Sequence, residues 1–203
     1  MSLETYSDAY QDIFTLKILG NNKYYLDIGC SDGIANSNTF LLEKNGWTGI
    51  LIDINQLDAC LKNRPNSFIE HADMQTPFLL KNILKKYNAP KVIDYISLDV
   101  DKANLDTLIN FPLDEYRFKF LTFEHDIYAQ GEHGRCDPWA RKHYGELILL
   151  KYGYIKLVDN IICNNLPYED WYVDPNQFNM DVFKNLLNKS NITYQNAYNL
   201  INS

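Results

Sequence analysis

The 203-residue chain is short of positive charge: 19 Lys and Arg stand against 26 Asp and Glu, a net charge of −7. That shortage argues against wrapping a phosphate backbone, which needs clustered cations, so no nucleic-acid partner is expected. Paired-cysteine spacing is missing too. Cys30, Cys60, Cys136 and Cys163 form no CxxC motif, which disfavours a zinc ribbon or a disulfide framework and favours reduced thiols in the cytoplasm. No apolar stretch nears the roughly 20 residues of a membrane span, so no membrane partner is expected. Met1 to Asp12 carries acids and lacks the apolar core of a signal peptide. Internal repeats, linkers and low-complexity tracts are also lacking. A single domain over residues 1–203 is therefore expected, and this length can bury a full core.

What the chain does contain is an alternation of short apolar runs and amphipathic stretches. Strands are expected at Tyr24 to Ile28, Thr48 to Ile54, Ser67 to Ala72, Val92 to Val100, Arg117 to Glu124 and Tyr154 to Ile162. Helices are expected at Leu3 to Leu19, Asn38 to Asn45, Leu57 to Asn63, Phe78 to Tyr87, Ala103 to Asn110, Trp139 to Lys151 and Asp181 to Asn188. Near-continuous apolar strands suit a parallel sheet covered on both faces. The expected fold is α/β, a Rossmann-like, doubly wound, mostly parallel sheet. Residues 1–22 would form a helical cap, 22–175 the core and 176–203 a helical tail.

Ligands of such sheets sit beyond the C-terminal strand ends. Five successive strands here end in acid: Asp27, Asp53, Asp73, Asp99 with Asp101, and Glu124-His125-Asp126. The first is followed by a glycine-rich turn, Gly29-Cys30-Ser31-Asp32-Gly33. Glycines let backbone approach a ligand closely. A carboxylate at Asp27 would repel a pyrophosphate, whereas it would attract an amino group beside a sulfonium. The turn therefore reads as a seat for S-adenosylmethionine rather than NAD. Asp27, Gly29, Ser31, Gly33 and Ser37 would line the methionine end, with Ser37 also a candidate helix cap. Asp53 would accept both ribose hydroxyls, and Asp73 would receive the adenine amino group while Met74 packs on the ring.

Asp99, Glu124 and His125 fall where the methyl acceptor should lie. Two roles compete. His125 or Asp99 takes the proton of an attacking hydroxyl, or Asp99, Glu124 and His125 (or Asp126) bind Mg²⁺ or Mn²⁺. Asp101 either pairs with Asp99 or caps the next helix. The polar loop from Asp126 to Pro138 fits a substrate lid, with Tyr128, His133 and Arg135 as acceptor-binding candidates and Arg135 suited to an anionic group. Asn165-Leu166-Pro167-Tyr168 matches an element that stacks a flipped adenine in adenine N6-methyltransferases. Here it follows a late strand rather than the fourth, which counts against that reading.

Taken in order, Asp27-Ile28-Gly29, Asp32-Gly33, Ser37-Asn38-Thr39, Leu42-Glu43, Gly46-Trp47-Thr48-Gly49, Ile93 to Asp99, Tyr116-Arg117-Phe118, Glu124-His125 and Asp170 to Val173 resemble FkbM-type methyltransferases over residues 22–175. The resemblance implies a Rossmann-like fold, S-adenosylmethionine as methyl donor, and O-methylation of a sugar or small metabolite. The sequence departs from that family just after Asp99, where Asp-x-Glu-Gly-x-Glu becomes Asp99-Val100-Asp101-Lys102-Ala103-Asn104. The expected function is O-methylation of a small-molecule or glycan hydroxyl. The alternatives are a cofactor-binding module of the same fold without turnover, or a metal-dependent hydrolase using the acid cluster.

Overall fold

The structure is a computed structural model that describes residues 4–55, 57–128 and 137–201. Its centre is one eight-stranded sheet: β1 (Tyr24–Ile28), β2 (Thr48–Asp53), β3 (Phe68–His71), β4 (Val92–Leu98), β5 (Arg117–Glu124), β6 (Ile155–Cys163), β7 (Leu166–Val173) and β8 (Lys189–Thr193). The spatial order is β3-β2-β1-β4-β5-β7-β6-β8. Strands β1 to β5 run parallel, and β7 lies antiparallel between β5 and β6. The expected α/β, doubly wound sheet is thus present.

Two cores explain why the strands are apolar on both sides. Leu26 and Ile28 of β1 pack with Leu80, Ile83 and Leu84 of α4 (Leu79–Lys86), Leu108 of α5 (Asn104–Asn110) and Leu149 of α6 (Pro138–Lys151). Tyr25, alternate on the same strand, packs on the other side with Phe14 of α1 (Gln11–Leu19), Leu42 of α2 (Phe40–Lys44), Cys60 of α3 (Leu57–Asn63) and Ala197 of α7 (Tyr194–Leu200). The two-residue strand period assigns each side chain to one of these layers. Burying both faces excludes water from the sheet, so position along a strand decides where polar groups emerge.

The connection leaving β1 leads to β2 on one side, while β4 takes the other side of β1. This is the switch point at which a parallel sheet opens a crevice at its C-terminal edge. Local sequence fixes the surrounding elements. Asp137 caps α6, its Oδ1 accepting the Trp139 and Ala140 amides, and Pro138 occupies the first turn, where it loses no helical hydrogen bond.

The C-terminal part differs from expectation. Asp181 to Asn188 is not an α-helix: a short 3₁₀ turn covers Met180–Phe183, and the chain then enters β8. The tail over 176–203 is therefore not wholly helical. Strand β7 was not anticipated either, since Pro167, Glu169 and Asp170 interrupt its apolar pattern. The helix expected from Leu3 begins only at Gln11. No described helix is long and apolar enough to cross a membrane.

Candidate active site

A cleft of about 560 Å³ opens over the C-terminal ends of β1, β2 and β4, lined by Gly29, Ser31, Asp53, Asp73, Met74, Asp99 and Asp101 among others. A smaller chamber of about 260 Å³ shares Gly29, Ser31, Asp99 and Asp101 with it and extends to Asp27, Ser37, Glu124, Tyr128 and Tyr168. The two form one elongated crevice whose midpoint is the loop after β1.

That loop is built on two close approaches. Gly29 has φ +100°, and a Cβ there would sit 1.6 Å from the Asp99 carbonyl oxygen. No other residue fits, because β4 passes directly against the backbone. Ser31 also takes a positive φ, 49°, and its amide donates to Asp53 Oδ2 at 2.7 Å. The tip of β2 thereby holds the loop of β1 open over the cleft. Asp53 Oδ1 accepts the Asn55 amide, and Asp73 Oδ1 accepts the Gln75 amide. Both carboxylates face the larger chamber.

Gly33 lines neither chamber. It turns the loop back, with φ +83°, and a Cβ there would meet Arg64 Cγ at 2.7 Å. The turn expected at Gly33 is present and packs over Arg64 and Cys60. Ser37 borders the smaller chamber, but its Oγ is occupied by the Phe40 amide and an Arg64 N–H.

Asp27 lies 2% exposed at the floor of the smaller chamber. Thr39 Oγ1 donates to its Oδ2 at 2.5 Å. Burial raises its carboxyl to about 6, opposed by the Thr39 hydrogen bond and the nearby Arg64 guanidinium. Arg64 is fully buried beneath this loop. Its Nε donates to Glu43 Oε2 at 2.7 Å, Nη1 to the Gly33 carbonyl, and Nη2 to Tyr25 Oη. No sequence pattern singles out Arg64; only folding brings it under the acids.

The far end of the chamber has a different electrostatic character. Asp99 and Glu124 share a side-chain hydrogen bond, and Tyr128 Oη donates to Glu124 Oε1 at 2.5 Å. Burial raises both carboxyls, Glu124 well above the ordinary range, and each is raised further by neighbouring acids. Burial and mutual repulsion thus bias this carboxyl pair toward its protonated form. Glu169, directly across from Glu124 on β7, is pushed up to about 8, chiefly by burial. Tyr168 stacks on Tyr128 with ring centroids 5.3 Å apart. Asp8 and Asp101 complete the rim. Among the described residues that line this chamber there is no Lys, Arg or His.

His125 does not join this group. Glu124 and His125 are consecutive, so the strand period sends them to opposite faces. His125 is fully buried on the α6 side, its Nε2 3.7 Å from Asp170 Oδ1 and its Nδ1 accepting the Ile127 amide. Burial lowers it to about 4, so it stays neutral. The expectation of His125 as a base or ligand beside Asp99 and Glu124 is corrected accordingly. Asp126 likewise turns away and pairs with Arg141 Nη1. Among the described residues no group of three or more His, Cys, Asp or Glu is placed to hold a metal. The expected ligand set of Asp99, Glu124 and His125 (or Asp126) is not brought together, because His125 and Asp126 turn away from the other two. His133 and Arg135 lie outside the described residues.

Two features escaped the sequence reading. Tyr168, set aside with its Asn-Leu-Pro-Tyr element, lines the smaller chamber because β7 runs back beside β5. Asn104, where the resemblance would place an acid, is fully buried; it accepts the Val100 amide at 2.7 Å and donates to the Glu124 carbonyl at 2.9 Å. The amide thus joins the tips of β4 and β5 and fixes the Asp99–Glu124 spacing.

No family model matches the chain, and no curated protein matches it. Solved structures do. A TehB-like S-adenosylmethionine-dependent methyltransferase from Corynebacterium glutamicum aligns at TM-score 0.52 and 10% identity, covering 81% of this chain and 86% of that one. TrmK of M. capricolum, solved with S-adenosyl-homocysteine, aligns at TM-score 0.51 and 16% identity, covering 81% and 67%. At such identities the likeness establishes the fold, that of the class I methyltransferases.

Proposed function

We propose that this chain is an S-adenosylmethionine-dependent methyltransferase that methylates a hydroxyl of a sugar or similar small polar acceptor, in keeping with its resemblance to FkbM-type enzymes. The observation that carries the reading is the single crevice with the Asp53–Asp73 wall at one end and the Asp99–Glu124 pair at the other. The residues present fit the donor. The bare backbone at Gly29 leaves room for a close ligand, Asp53 offers a carboxylate to the ribose hydroxyls, and Met74 and Asp73 border the outer end. Bound there, the donor would supply an electrophilic methyl group on a sulfonium.

The chain's own part is proton handling and positioning. Asp99 accepts the acceptor hydroxyl's proton as the oxygen gains the methyl group, while Glu124, held by Tyr128, keeps the pair's existing proton. Tyr128 and Tyr168 give a flat wall against which a sugar ring can rest. The charge of the described lining also sets selectivity: Asp8, Asp99, Asp101 and Glu124 favour a neutral or amine-bearing acceptor over a phosphorylated one.

Isothermal titration with S-adenosylhomocysteine is the direct test. Binding by the wild type is expected, with Asp53→Ala weaker by about 2 kcal/mol because two ribose donors lose their acceptor. A folded wild type that takes up none of this ligand would overturn the reading.

A further inference from the structure

The loop after β1 carries a second chemistry that methyl transfer does not use. Cys30 follows Gly29 and borders the acceptor chamber, whereas Cys60 sits on α3 directly behind the loop. Their Sγ atoms are 3.7 Å apart. Both are free thiols, 3% and 1% exposed. A disulfide needs its sulfurs about 2.05 Å apart, so a closing movement of about 1.7 Å completes the bond. Arg64, which donates to the Gly33 carbonyl, and Asn63, which donates to the Asp32 carbonyl, already tie this loop to the segment that carries Cys60.

We propose that Cys30 and Cys60 form a peroxide-oxidised dithiol site, whose disulfide ties the cofactor loop to α3 and weakens cofactor binding. Hydrogen peroxide is the oxidant. The Cys60 thiolate attacks one peroxide oxygen and breaks the O–O bond, giving a sulfenic acid and hydroxide, which takes up the proton Cys60 released. The Cys30 thiol then attacks that sulfur, and the hydroxyl leaves with the Cys30 proton as water. Two thiols and one peroxide become one disulfide and two waters. The order follows from the surroundings: contact with the Cys30 sulfur and the nearby Arg64 guanidinium favour the Cys60 thiolate, against burial and the Asp27 and Asp53 carboxylates.

The bridge would draw Cys30 towards α3 and carry Ser31 with it. The Ser31 amide then loses its register with Asp53 Oδ2, the contact that holds the loop over the cleft. The bond itself is independent of the proposed function; only its effect on cofactor affinity rests on that reading.

The test treats the full chain with hydrogen peroxide and maps non-reduced peptides by mass spectrometry. A Cys30–Cys60 linkage with loss of two hydrogens, reversed by dithiothreitol and absent in Cys30→Ser and Cys60→Ser, is expected. Bridging to Cys163 or Cys136 instead, or only sulfinic and sulfonic products, overturns the site. The mapping uses wild-type protein, so a variant that fails to fold does not affect the result. S-adenosylhomocysteine affinity is then compared before oxidation, after it, and after re-reduction. A drop of tenfold or more that dithiothreitol restores is expected. Unchanged affinity in the bridged protein removes the regulatory part. Absence of binding even by the reduced protein, with the linkage present, counts against the methyltransferase reading and leaves the dithiol site standing.

Discussion

Asp27 and Glu124 face the same crevice, and each is 2% exposed, yet their surroundings treat their charge in opposite ways. Asp27 has Thr39 as a donor and the buried Arg64 guanidinium close by. Glu124 has Asp99 beside it, Glu169 across from it, and a tyrosine as its donor. One acid is offset by a cation. The other is surrounded by acids and holds a proton. Burial alone would raise both; the neighbours decide how far each is raised.

Four substitutions test that contrast. The largest effect is expected from Asp99→Asn, which removes the carboxylate proposed to take the acceptor's proton beside Glu124: turnover should fall by about 10²–10⁴-fold, the usual range for a lost acid–base group, with S-adenosylhomocysteine affinity little changed. Release of S-adenosylhomocysteine with a panel of neutral and amino sugars gives the measurement, and undiminished turnover would dissolve the contrast. Arg64→Met acts on the other acid. Stripping a buried cation from Glu43 and Asp27 should cost about 3–5 kcal/mol in urea unfolding, and a cost under about 1 kcal/mol would mean the guanidinium is dispensable.

Asp27→Asn sharpens the comparison through pH. The folded carboxyl is raised to about 6 from an ordinary 3.8, so the native state binds this proton more tightly than the unfolded chain. Its favourable contribution is therefore complete below about pH 4 and is lost as pH rises through 6. The variant's stability should change less between pH 4 and 7 than the wild type's, by up to about 3 kcal/mol. Parallel curves for the two proteins would show that Arg64 already neutralises Asp27 in full. The smallest effect belongs to Tyr128→Phe, which deletes one hydrogen bond to Glu124: about tenfold in kcat, with cofactor affinity retained. A loss of cofactor affinity instead would assign Tyr128 to the donor end.

The contrast also marks how far the sequence could be read. Strands β1 to β5 and the acids at their tips were legible because apolar runs of strand length end in residues that must leave the core. Gly29 was legible as a glycine but not for its reason, since the Asp99 carbonyl that forbids a side chain lies 70 positions away along the chain. His125 was grouped with Glu124 by adjacency, although the two-residue strand period already sends them apart. Arg64 gave no signal, because a cation just past a short helix reads as solvated until that segment packs under a loop. Tyr168 and Glu169 were hidden by the polar residues of β7, which a strand tolerates when its tip forms part of a site.

Strand β7 has one more consequence. It is inserted antiparallel between β5 and β6, pairing Glu169 with Glu124 and Val173 with Phe120. A chain synthesised from its N-terminus has β1 to β4 in hand after about half its length. The end of the crevice lined by Glu124 and Tyr168 stays incomplete until β7 emerges and reverses onto β5. For a nascent chain, the Asp53 and Asp73 end of the crevice precedes the Glu124 end.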